Sequence, residues 1–105
     1  MRKKHDILKD MNAKTIYNLP VLITKQGRRF VAYSPALDIS TSATTEKKVK
    51  LLFSELVTIF FEELVRKGTI HTVLTELGWK KEQKKWSPPK VISSSSFGIK
   101  VPTFV

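Results

Sequence analysis

The sequence predicts an α+β fold: a small antiparallel sheet in β-β-β-α order, one long helix packed on one face, a short second helix, and a C-terminal hairpin or strand. Three observations predict it. Two runs of strand-forming residues flank a turn that contains Gly27. Residues 46–67 repeat apolar side chains at i, i+3 and i+4, the spacing of an amphipathic helix. Trp79 and Trp86 bracket a short charged turn, as the two ends of a small hairpin would.

Residues 1–14 are charged, with scattered apolar groups at Ile7, Leu8 and Met11, and read as a basic N-terminal arm. Strand formers then crowd between Thr15 and Lys25, and Leu19, Val21 and Ile23 share one face at period two. Pro20 cannot donate to a ladder, so this strand lies at an edge or starts after it. Arg29 to Ser34 is the return strand, stopped by Pro35, and Ile39 to Ala43 is a short third strand. Thr44 and Thr45 offer N-cap oxygens to a helix over Glu46–Lys67, and Gly68 ends it. Leu52, Phe53, Leu56 and Phe60 are its expected core face. The apolar stripe is wider than one sheet face requires, so either a second helix or a partner covers the excess. That second helix is expected over Thr69–Leu77, with Ile70, Val73, Leu74 and Leu77 on one side. Pro88 and Pro89 halt regular structure. Ser93–Ser96 is a linker by composition, and Phe97, Ile99 and Val101 alternate as an added strand would. The domain is therefore expected over 15–92, with a Ser-rich linker and tail over 93–105.

The length, 105 residues, is that of one small domain. Hydrophobic content of 41% supports one core and excludes a disordered chain. The lack of cysteine excludes a disulfide framework and thiol chemistry. No run approaches the length needed to cross a bilayer, and charged residues occupy the place of a signal-peptide core, so the expectation is a cytoplasmic protein without a membrane partner. Nineteen Lys and Arg against nine Asp and Glu give a net charge of +10, which attracts nucleic acid, anionic membranes or acidic proteins. The excess lies on the flanks, whereas residues 46–68 are nearly balanced.

Catalytic chemistry finds little support. The four glycines are scattered and form no phosphate loop. His5 and His71 make no ligand pair. Glu62 and Glu63 point about 100° apart on a helix. Asp38 is a lone acid at a strand-loop junction and reads as a turn residue. No catalytic residue, metal ligand or cofactor is expected. Lys80, Lys81, Lys84 and Lys85, interleaved with the two tryptophans, are candidate nucleic-acid contacts. The indoles read first as core side chains, and the lysines equally as the solvated face of a hairpin.

One ordered set of strings is more specific. Val31-Ala32-Tyr33-Ser34-Pro35-Ala36-Leu37 is followed by Asp38-Ile39-Ser40, by Thr44-Thr45-Glu46 and by Phe60-Phe61-Glu62-Glu63-Leu64. Gly68-Thr69-Ile70, Leu77-Gly78-Trp79 and Trp86-Ser87-Pro88-Pro89 complete it. Together, over roughly residues 17–92, these strings resemble the HicB-like antitoxins. The resemblance implies a partial ribonuclease H-like fold and a non-enzymatic role. Such antitoxins bind a small RNA-cleaving toxin, HicA-like, encoded nearby, and cover its catalytic histidine. Many carry a further DNA-binding domain, for which the sixteen residues after Pro89 are too few. Such toxins are usually basic, so the covering surface must be locally apolar or acidic. The loop where the resemblance is densest supplies the expected partner contacts: Tyr33, Ser34, Pro35, Leu37 and Asp38. A homodimer is expected from the wide helical stripe and the unpartnered tail. Weak, non-specific nucleic-acid binding follows from charge alone. The alternative is a small basic nucleic-acid-binding protein on the same fold.

Overall fold

The computed structural model describes residues 17–103, so the expected arm over 1–14 lies outside the described residues. The fold is α+β. β1 (Leu22–Gln26), β2 (Arg29–Ser34) and β3 (Ile39–Ala43) form an antiparallel sheet in that order. α1 (Glu46–Lys67) and α2 (Ile70–Glu76) follow, then a two-stranded hairpin of β4 (Lys80–Glu82) and β5 (Lys85–Ser87). β1 starts after Pro20 and is also an edge strand, so both ways of accommodating that proline hold. Gln26 pairs with Arg29 across a two-residue turn, in which Gly27 takes a φ of 62° that a side chain would resist.

The register explains the burial. Ile23 sits opposite Ala32, and Ala32 opposite Thr41, so these residues share one face. On that face Ala32 and Ala43 pack against Val49 and Phe53 of α1. The other face carries Leu22, Thr24 and Gln26 of β1 and Ser40 and Ser42 of β3. A second cluster joins Ala36 and Leu37 to Leu64, Leu74 and Trp79. Ile39 and Val57 pack against both clusters, so the two make one continuous core.

α1 begins where Thr45 Oγ1 accepts the Lys48 N–H at 3.1 Å, which selects the second of the two threonines as N-cap. It ends at Gly68, whose φ of 68° lets Thr69 N donate to Leu64 O at 3.0 Å. In its last turn Arg66 forms a two-pronged bond to Glu63, at 2.7 and 2.6 Å, and this holds the Glu63 carboxyl below its ordinary pKa.

The core face of α1 needs a correction. Phe53 is buried and Leu56 and Phe60 are half-buried, but Leu52 is 41% exposed; Val49 and Leu64, which share the i, i+3, i+4 stripe, are buried with Phe53. Successive helical residues turn by about 100°, so a face centred on Val49, Phe53, Phe60 and Leu64 leaves Leu52 to one side. α2 covers only part of the wide stripe: Ile70 and Val73 join the cluster around Leu64, while Leu51, Leu52, Ile59 and Val65 stay exposed. The tail also needs one. Phe97, Ile99 and Val101 form no strand, because among the described residues no ladder partner lies beside them. Among the described residues the C-terminal pairing is the hairpin alone. No helix among the described residues is long and apolar enough to cross a membrane.

Candidate functional site

The connection between β2 and β3 is four residues long and held from three sides. Proline at 35 stops β2, and the chain turns back so that Asp38 N donates to Ser34 O at 2.8 Å, one turn of helix that goes no further. Asp38 accepts a φ of 53°, which a short polar side chain tolerates. Its Oδ1 accepts a hydrogen bond from the Tyr33 hydroxyl at 3.1 Å. That bond, then partial desolvation and the carboxylate's charge, raise the Tyr33 pKa above the ordinary phenol value. From beneath, the Trp79 indole N–H donates to Ala36 O at 2.8 Å, a buried bond across 43 positions of sequence. The Trp79 ring is held in turn by edge contacts with Tyr17 and Phe61, at 5.5 and 6.1 Å between centroids.

This geometry divides the five expected contact residues. Leu37 is 2% exposed and Ser34 fully buried, so both belong to the core in this structure. The turn that brings Asp38 back to Ser34 points Leu37 inward, onto the cluster with Leu64 and Trp79. Tyr33 is half-buried, and Pro35 and Asp38 are exposed; these three form the accessible rim of the loop. The Ser34 hydroxyl is buried without a hydrogen-bond partner, a cost of roughly 1–3 kcal/mol that the fold carries.

Beside the rim lies a small, mostly apolar groove of about 110 Å³, lined by Pro20, Pro35, Ala36, Pro89, Lys90 and Val91. The sequence singled out none of Pro20, Pro89, Lys90 or Val91 as site residues. The nearest signal was the halt at Pro88-Pro89. That halt returns the chain to the end of the sheet, where Pro89 also approaches Gly78.

The hairpin holds the other candidates. Lys80, Lys81, Lys84 and Lys85 are all exposed. Lys81 pairs with Trp86, and its ammonium lies 5.9 Å from the indole centroid. Trp86 is half-buried and meets the His71 ring edge-on at 5.5 Å. Only one indole is therefore fully in the core. Among the described residues no hydrogen bond or ion pair joins these lysines to the Tyr33–Asp38 rim. Among the described residues no group of three or more His, Cys, Asp or Glu is arranged to hold a metal ion.

Comparison with protein-family models, with curated proteins and with solved structures returns no match for this chain.

Proposed function

We propose that the chain is a non-catalytic, HicB-like antitoxin-type protein of the cytoplasm, which binds a small RNA-cleaving toxin and covers its active site. The observation that carries this reading is the Tyr33–Ile39 loop. It holds the densest part of the sequence resemblance, and three independent hydrogen bonds fix its shape. A loop already held in one conformation avoids an ordering cost of about 0.5–1.5 kcal/mol for each mobile side chain.

Charge supports the same surface. A chain of net charge +10 repels a basic partner over most of its surface. The rim offers Asp38 and an apolar groove in which Lys90 is the one charged residue. We take the protein to act as a homodimer, since Leu51, Leu52 and Ile59 on α1 and Phe97, Ile99 and Val101 in the tail remain exposed in a single copy.

Titrations against the neighbouring gene product and against an RNA duplex test this, each at about 50 and 300 mM salt, a range over which phosphate contacts weaken steeply. Capture of the neighbour should survive the higher salt. Asp38→Asn, which keeps the backbone tolerance and removes the charge, should weaken capture by about tenfold or more. Replacing Lys80, Lys81, Lys84 and Lys85 by Gln should lower RNA binding and leave capture intact. Salt-resistant, sequence-selective nucleic-acid binding with no capture would overturn the reading in favour of a small basic nucleic-acid-binding protein.

A further inference from the structure

From Pro88 to Thr103 the chain forms neither helix nor strand, and every residue from Pro89 to Thr103 is exposed. Its composition is not that of a solvated tail. Ile92, Phe97, Ile99 and Val101 are 90, 82, 78 and 65% exposed. Phe97, Ile99 and Val101 alternate with Gly98 and Lys100, so in extended form one edge of the segment is apolar and the other is not. The strands of the sheet follow the same layout, with Ile23, Ala32 and Ala43 on the helix side and Thr24, Ser40 and Ser42 on the other. The segment thus has the pattern of a strand of this sheet and lacks a ladder.

The sheet has two open edges, and they differ. β1 is guarded by Pro20 ahead of it and by Lys25 on its helix side, whose ammonium lies over the Phe30 ring. β3 reads Ile-Ser-Thr-Ser-Ala, with no charge and no proline to discourage pairing. It is five residues long, as is Phe97–Val101. Residues 91–103 carry a single charge, Lys100, and β3 carries none, so two basic chains meet there without opposing like charges.

We infer that this segment is an exchanged arm: Phe97–Val101 of one copy adds as a fourth strand along β3 of a second copy, and the reciprocal contact closes a two-fold dimer. Ser93–Ser96 supplies the flexible hinge, and the arm's apolar residues join the helix side of the partner sheet. The inference rests on the homodimer proposed above and is independent of the toxin.

Sedimentation equilibrium of the full chain at about 100 µM, where association is read as mass, tests it. The dimer should gain as salt rises, because screening relieves the repulsion between two highly basic copies. Phe97→Asp combined with Ile99→Asp should raise the dissociation constant by about 100-fold. The circular dichroism of the body should not change, since both side chains are solvent-exposed in their own chain. The chain has no cysteine, so a mixture of the single variants Ser42→Cys and Lys100→Cys should oxidise to a crosslink between arm and β3 of different copies. A dimer that survives the two aspartates overturns the arm and leaves the homodimer standing, on α1. A monomer throughout overturns both, while capture of the neighbouring gene product would still stand. A crosslink formed within one chain of the double cysteine variant overturns exchange in favour of an arm folded on its own sheet.

Discussion

Trp79 and Trp86 stand at the two ends of one hairpin, and the fold treats them in opposite ways. Trp79 is 3% exposed, edged by Tyr17 and Phe61, and its N–H reaches the Ala36 carbonyl. Trp86 is half-buried, flanked by His71 and Lys81. Each is an indole next to lysines, so neighbouring sequence does not separate them. The difference lies in what each one ties together. Trp79 connects the core to the loop proposed to meet a partner, so stability and the proposed contact share one side chain. Trp86 packs at the edge of the same core with Lys81 over its ring, while Lys80, Lys84 and Lys85 stay exposed.

The largest effect should come from breaking this contrast at its buried end. Trp79→Ala should lower stability by roughly 3–5 kcal/mol, since it removes a buried ring and leaves the Ala36 carbonyl without its donor. Trp86→Ala should cost about 1 kcal/mol, as a half-buried side chain outside the packed centre does. Thermal unfolding of the two variants side by side measures this, and equal losses would erase the distinction. The same contrast recurs on α1 between adjacent residues. Phe53→Ala should cost about 3–5 kcal/mol and Leu52→Ala less than about 1 kcal/mol, to be read from denaturant midpoints. A loss at Leu52 matching that at Phe53 would mean that the helix presents a different face.

The smallest effect is expected at the loop itself. Tyr33 has its pKa raised, first by the bond to Asp38. A folded-state pKa above the unfolded value means that this bond contributes below the ordinary phenol pKa, and that the contribution is lost as pH rises through the folded value. Loop and core should therefore respond differently to alkali, with the Tyr33–Asp38 bond opening first. Asp38→Asn should bring the Tyr33 titration back toward the ordinary phenol value, followed by ultraviolet absorbance. An unmoved titration would show that the bond does not hold the loop.

Much of the framework was legible because its signals are local. The Gly27 turn, the Gly68 stop and the period of 46–67 each need only a few neighbouring residues and appear at their expected places, and the N-cap falls on one of the two threonines that the sequence offered. The site was legible in part. The loop string pointed to Tyr33, Pro35 and Asp38, which are on the surface, and equally to Ser34 and Leu37, which are not. Ser34 lies in β2 two residues from Ala32, so strand alternation carries it to the helix face; Leu37 lies in the four-residue turn, and no spacing rule tells which way that turn points its side chains. The groove was missed because Pro20, Pro35 and Pro89 are far apart in sequence and meet only when the chain after the hairpin returns to the sheet.

The order of elements, the period of the long helix and the charge of the whole follow from the amino-acid sequence, since these depend on backbone propensity and composition. Tertiary structure decided the rest. It chose which face of α1 is buried, because rotation about the helix axis is set by what the sheet and α2 offer. It chose which tryptophan becomes core, because a buried N–H must find an acceptor and only Trp79 meets the Ala36 carbonyl. It left the strand-like residues Phe97, Ile99 and Val101 exposed, because a strand exists only where another strand completes its hydrogen bonds.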